Sequence, residues 1–203
     1  MIPTINIAAL FDAESRPSPA LTATDLAVFE AATTLGFMTI TGLPHEPDIG
    51  ASAKQTLTTL FNLAADEQRR LWKRNFESNN PNLYRGWFPL HSGPTLSREG
   101  FEIGPDVVRG LPNPTKDVLL EPTPWPSDTA LPHFRTVAAR YYAAMEAIGA
   151  ALLASLSRGL GIAPTLFRDA FTEGISTLRL LRYIPRHDLP ISSALKATRG
   201  AHV

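Results

Sequence analysis

Apolar and polar positions run in two rhythms along this chain, and each change of rhythm marks an element. Ile5 to Ile7 predicts a short first strand. Thr22, with Asp25 three residues later, predicts a capped helix start; Leu26, Phe29, Ala32 and Leu35 follow at helical spacing up to Gly36. Phe37-Met38-Thr39-Ile40-Thr41 is rich in β-formers and closed by Gly42, which predicts a strand. Ala51 to Asn62 predicts a second helix with Leu57, Leu60 and Phe61 inward, and Asp66 to Trp72 a short helical piece. The clearest rhythm belongs to Leu131–Leu160, where Val137, Tyr141, Met145, Ile148, Leu152, Leu156 and Leu160 keep one helical face apolar and Gly159 and Gly161 supply the stop. A shorter helix near Pro164–Phe171 and a strand over Ser176–Ile184, ended by Pro185, complete the pattern. Helices and strands in this order predict an α+β fold.

Proline changes the picture in the middle third. Ten of the eighteen prolines fall between Pro81 and Pro132. Proline has no N–H to donate and pushes its predecessor toward extended geometry, so this stretch cannot stay helical for long. Leu83, Trp87, Phe88, Phe101, Ile103, Val107 and Val108 interrupt it too often for a solvated linker, which predicts irregular, extended chain packed on the body of the domain. With 203 residues, 44% of them hydrophobic, the chain is expected to form a single domain, 1–203, with a substantial core.

Charge and composition exclude several classes. Nineteen basic and nineteen acidic residues balance, so the basic stripe that a nucleic-acid binder needs is missing. No run approaches the apolar length of a membrane span, and Met1–Leu10 lacks the pattern of a secretory signal; a soluble, cytoplasmic protein is expected. Without cysteine there is no disulfide framework, thiolate metal site or thiol nucleophile. The five histidines, His45, His91, His133, His187 and His202, include no pair spaced for zinc on a helix, and no phosphate loop, dinucleotide fingerprint or nucleophile elbow occurs. Asp66 and Glu67 sit beside Arg69 and Arg70 and read as a solvated cluster.

The order of segments carries a resemblance. Ile2-Pro3-Thr4-Ile5-Asn6-Ile7 resembles the opening of the isopenicillin N synthase-like, iron(II)/2-oxoglutarate-dependent oxygenases, and Gly36 to Gly42 their first long strand. Leu60-Phe61-Asn62-Leu63-Ala64 with Glu67 is similar to the family's helix junction, and Tyr84-Arg85-Gly86-Trp87 to its Arg-Gly-Tyr turn. Arg98-Glu99-Gly100-Phe101-Glu102-Ile103-Gly104 resembles its Lys-Glu-x-Phe-Glu-x-Gly segment. Trp125-Pro126, the helix ending Gly159-Leu160-Gly161 and the strand Leu178 to Tyr183 complete the series.

This resemblance implies a helical support layer with the first strands of a double-stranded β-helix (jelly roll), the barrel incomplete. Residues 1–120 would be the N-terminal region, 131–160 a spine helix and 175–203 the start of the oxygenase core. Such enzymes hold iron(II) on a His-x-Asp pair and a distant His, leaving open positions for 2-oxoglutarate and dioxygen, and oxidise a small-molecule substrate. Gly200-Ala201-His202-Val203 falls where the family has Gly-x-His-x-Asp, so His202 is the implied first iron ligand, with the other ligands expected beyond Val203. Tyr183 reads as a core strand tyrosine, while the resemblance gives it contact with co-substrate or substrate. Arg179 and Arg182 are expected at the surface or barrel rim, and Trp87 and Phe88 in packing, with the substrate mouth as their second reading. By this reading the chain is the N-terminal part of an Fe(II)/2-oxoglutarate-dependent dioxygenase, inactive alone and able to self-associate through an unpaired strand edge. The alternative is a non-catalytic fragment acting as an interaction or scaffold module.

Overall fold

The computed structural model describes residues 1–12, 17–44, 46–90, 98–110, 117–171 and 174–183. In chain order the elements are β1 (Thr4–Asn6), α1 (Pro19–Thr34), β2 (Thr39–Thr41), α2 (Glu46–Ile49), α3 (Ala51–Thr58), α4 (Ala65–Arg70), β3 (Gly86–Phe88), β4 (Arg98–Ile103), α5 (Asp106–Arg109), α6 (Phe134–Gly159), α7 (Thr165–Phe171) and β5 (Leu178–Tyr183). They form two compact units. One comprises residues 1–52 and 140–174, the other 53–139 and 175–203.

In the first unit β1 and β2 pair in parallel, Ile5 opposite Ile40. Ile5, Ile7, Val28, Ala31, Ile49, Ala144 and Ile148 are buried together, with Tyr141, Leu152 and Leu156 packed against them. The first helix begins earlier than the Thr22–Asp25 spacing predicts. Ser18 is its N-cap, its side-chain oxygen accepting from the Leu21 N–H at 3.1 Å, and Pro19 fills the first turn, where a missing N–H costs nothing. The buried stripe of α1 is also rotated from the expected one: Thr24, Asp25, Val28 and Ala31 face inward, whereas Leu26 is 64% exposed. The rotation has a polar cause. Asp25 accepts from Ser155 Oγ at 2.7 Å and from Arg158 Nε and Nη2 at 2.6 and 2.7 Å, a two-pronged guanidinium contact that fixes which side of α1 meets α6. The same hydrogen bonds raise the Arg158 pKa above its ordinary value.

At 26 residues and about 40 Å, α6 is the longest element. By length and composition it is long and apolar enough to cross a bilayer, contrary to the reading of the sequence. Ala144 and Ile148 place its middle in the core of the first unit, and that is the role the structure gives it. Met145 and Leu160, expected on the apolar face, are exposed.

The second unit corrects the reading of the proline-rich third, which contains two strands. Both fall in intervals free of proline, 82–88 and 95–104, where every N–H is available for a ladder. The sheet runs β3-β4-β5, antiparallel throughout, with Trp87 opposite Phe101 and Phe101 opposite Leu180. The outer edge of β3 is occupied as well, because Trp87 N–H donates to Leu71 O at 2.7 Å and Lys73 N–H to Trp87 O at 2.9 Å. Gly86 permits this approach: its φ is +108°, and a Cβ there would lie 2.6 Å from Leu71 O. The chain around Pro122, Pro124 and Pro126 is held by side chains instead of a backbone ladder. Glu121 accepts from the Leu83, Tyr84 and Arg85 N–H groups, while Thr123 lies between Asp106 and the Gly104 N–H.

Candidate functional site

Side chains alternate across a strand, so the register of β3-β4-β5 assigns every residue to one of two faces. One face carries Trp87, Glu99, Phe101, Ile103, Leu180 and Arg182. The other carries Phe88, Arg98, Gly100, Glu102, Arg179, Leu181 and Tyr183.

The first face is filled. Phe61 meets Trp87 edge-on at 5.4 Å, and Trp87 meets Phe101 at 6.5 Å. Glu99, buried, accepts from Trp87 Nε1 at 3.2 Å and from Arg182 Nε at 2.6 Å. Arg182 also donates to Phe61 O at 2.9 Å and lies over the Phe61 ring. Chemistry has no room here; this is the packed side.

The second face is polar and partly open. Buried Glu102 accepts from Lys73 through one oxygen and from Arg179 through the other. Lys73 Nζ lies 5.2 Å from the Phe88 ring centroid and 5.4 Å from that of Tyr84, and the Arg179 guanidinium lies 5.9 Å from Phe88. Tyr183 ends β5 on this face, opposite Arg98, and is 59% exposed. A neighbouring guanidinium is wholly buried: Arg85 donates to Thr177 Oγ1 at 2.5 Å and Leu119 O at 2.8 Å. Among the described residues its charge meets no carboxylate.

These placements refine the expected roles. Arg179 and Arg182 are at the surface, as expected, and each is also tied inward to a buried glutamate, on opposite faces of the same strand. Trp87 is a packing residue, as one reading had it, while Phe88 forms part of the open face. In the sequence, Glu99 and Glu102 stand out only as part of the family-like segment Arg98 to Gly104. The signal that finds them is spacing: Glu99-x-x-Glu102 and Arg179-x-x-Arg182 carry opposite charges at the same interval, and an antiparallel register matches them two by two. Ser18 of the sequence Arg16-Pro17-Ser18 is a helix cap. Glu67 pairs with Arg70 and accepts from the Ser127 N–H, and that hydrogen bond, ahead of the Arg70 charge, lowers its pKa.

Among the described residues no cluster of three or more His, Asp or Glu is placed to hold a metal ion. The oxygens of Glu102 are taken by Lys73 and Arg179 and those of Glu99 by Arg182 and the Trp87 indole, so neither fits as an iron ligand. His133 stands just before α6 in the left-handed region, φ 63°. His202, the implied ligand, and His45, His91 and His187 lie outside the described residues. What the described chain supplies is a wall with charge, aromatic surface and a phenol.

No family model matches the chain. It is 28% identical over 195 residues to the 2-oxoglutarate-dependent dioxygenase traH of Penicillium crustosum, covering 92% of this chain and 56% of that protein. It is 30% identical over 177 residues to a 2-oxoglutarate-Fe(II) type oxidoreductase of Aspergillus fumigatus, covering 82% and 50%. The chain thus spans about half the length of the curated relatives it matches. Among solved structures, a full-length Neurospora crassa protein in complex with alpha-KG superposes with a TM-score of 0.71 at 21% identity, covering 90% of this chain and 54% of that one. A 2OG-Fe(II) oxygenase family protein from Caulobacter crescentus superposes at 0.69 with 18% identity, covering 91% and 56%. The structural likeness carries the fold, the sequence likeness carries the kind, and together they support a 2-oxoglutarate-Fe(II) oxygenase family for this chain.

Proposed function

We propose that these 203 residues are the N-terminal part of a non-haem Fe(II)/2-oxoglutarate-dependent oxygenase that oxidises a small organic molecule with dioxygen. The observation that carries this reading is the match to a 2-oxoglutarate-dependent dioxygenase over 92% of the chain, across about half of the relative's length. In this reading α6 and the helices of the first unit are the support layer, and β3-β4-β5 are the first strands of a jelly roll. The open face of the sheet then lines the reaction chamber. Tyr183 is exposed on that face, and its phenol donates a hydrogen bond to a carboxylate of the co-substrate or substrate. His202 is the first iron ligand, and the metal, when bound, supplies dioxygen activation at open coordination positions. The substrate stays a small molecule of unspecified structure; the Neurospora crassa neighbour has been solved with thymine, a fact about that protein.

The test uses the natural protein at its full length. Fe(II)-dependent conversion of 2-oxoglutarate to succinate is expected, and His202→Ala is expected to abolish it. Conversion without iron, or full turnover in the variant, overturns the reading. The 203 residues by themselves offer one imidazole of the expected ligand set and are expected not to retain Fe(II) through anaerobic gel filtration.

The same reading bears on association. Among the described residues β5 pairs only with β4, so its other edge presents unpaired N–H and C=O groups. Leu160, Leu166 and Phe171 are exposed, and the net charge is zero. The 203-residue chain is therefore expected to elute from size-exclusion chromatography, with light scattering, as more than a monomer. A sharp monomer peak without dye-binding apolar surface counts against this.

A further inference from the structure

The charges on the open sheet face do not balance, although those of the whole chain do. Among the described residues, Arg98, Arg179 and Lys73 stand against Glu102 alone. Glu102 is buried and occupied through both oxygens, so it neutralises one cation and leaves none of its own lone pairs prominent. Arg179 is the exposed member, with 45% of its side chain open to solvent. A guanidinium has five N–H donors, of which Arg179 spends one on Glu102; among the described residues the others meet no acceptor. Its plane is steadied by the Phe88 ring, 5.9 Å away, as well as by the carboxylate.

The floor beside it is shaped by Gly100. A Cβ on Gly100 would lie 2.3 Å from Phe88 Cζ and 2.8 Å from Leu181 Cδ2. Only a glycine lets the Phe88 ring lie across the central strand, and the result is a shallow apolar floor of Phe88 and Leu181 with Arg179 at one side. A preorganised fork next to an apolar floor is complementary to a planar carboxylate on a flat apolar body.

We infer that Arg179, positioned by Glu102 and Phe88, receives the carboxylate of a small, flat, monocarboxylic substrate on the open face of the β3-β4-β5 sheet. This rests on the proposed function in taking that face as chamber lining, and it adds the substrate's class. Lys73, enclosed between two rings and Glu102, holds the glutamate from the other side and does not reach the ligand.

Binding measured without metal or co-substrate tests the inference separately from turnover. The full-length protein is titrated calorimetrically with benzoate, with its neutral isostere benzamide, and with 2-oxoglutarate. Benzoate is expected to bind roughly tenfold more tightly than benzamide, the scale of one charge-assisted contact. Arg179→Gln, which keeps a donor for Glu102 but removes the charge, is expected to erase that preference, and Arg179→Lys to keep part of it. Equal binding of benzoate and benzamide by the wild type overturns the inference, and so does a preference that survives in Arg179→Gln. A variant that loses 2-oxoglutarate while keeping benzoate also overturns it, because the guanidinium then serves the co-substrate. Should Arg179→Gln not fold, the wild-type comparison and Arg179→Lys decide. A protein that binds benzoate as expected but never turns over 2-oxoglutarate fails the functional reading and leaves this one standing.

Discussion

Replacing Trp87 by alanine is expected to cost about 3–5 kcal/mol of folding stability, the range for emptying a buried indole site. Trp87 is wholly buried at the centre of the second unit. It contacts Phe61 and Phe101 edge-on, donates to Glu99 and contributes both backbone groups to its strand neighbours. The substitution therefore opens a cavity and strips a hydrogen bond from a buried carboxylate at once, and those two costs add. Native domains have about 5–15 kcal/mol in hand, so a loss of this size is a large fraction of the total stability. Urea titration followed by circular dichroism measures the change through the midpoint at unchanged slope. Trp87→Phe keeps the apolar contacts and should lose much less. A Trp87→Ala midpoint indistinguishable from wild type would show that this sheet face is not the core described above.

Glu102→Leu is the second large effect, expected at about 3 kcal/mol, the lower end of the range for leaving a buried charge without its counter-ion. The lower end applies because the Arg179 head is nearly half exposed and regains water, whereas Lys73 is enclosed and does not. The physics predicts a rescue. Removing the cations as well, in Glu102→Leu with Lys73→Met and Arg179→Met, replaces an ionic cluster by an apolar one of similar volume, and such swaps are commonly neutral or stabilising. A triple variant that recovers most of the lost stability supports the ionic account. One as damaged as Glu102→Leu alone would assign the loss to shape.

Much of this architecture was legible because periodicity reports burial. Leu57, Leu60 and Phe61 face inward as their spacing predicts, and the long helix and the last strand lie within a few residues of their expected bounds. The misreadings have two causes, polar residues doing buried work and an average taken over too long a segment. Asp25 sits inside α1 because Arg158 and Ser155 wait for it, so the stripe containing Leu26 turned outward. The proline count hid β3 and β4, since an average over the segment conceals the proline-free intervals in which strands form. At the candidate site, Tyr183 was reachable from family resemblance and lies on the open face. The Glu102 cluster was not, because its members come from three separate stretches of chain and only the register brings them together. His202 lies outside the described residues, and its role rests on the motif around it.

The two latches on β5 have a consequence for assembly. Glu102 and Arg179 are 77 residues apart in sequence, and Glu99 and Arg182 are 83 apart, so β5 must find β4 after a long excursion of the chain. A misalignment by one position would send each arginine to the opposite side of the sheet from its glutamate, stranding four ionised groups at once. A shift of two would keep the sides but face Glu102 with Leu181 or Thr177 in place of Arg179. The charges thus act as a proofreading device, penalising docking mistakes of one or two positions before the hydrophobic contacts can make them permanent.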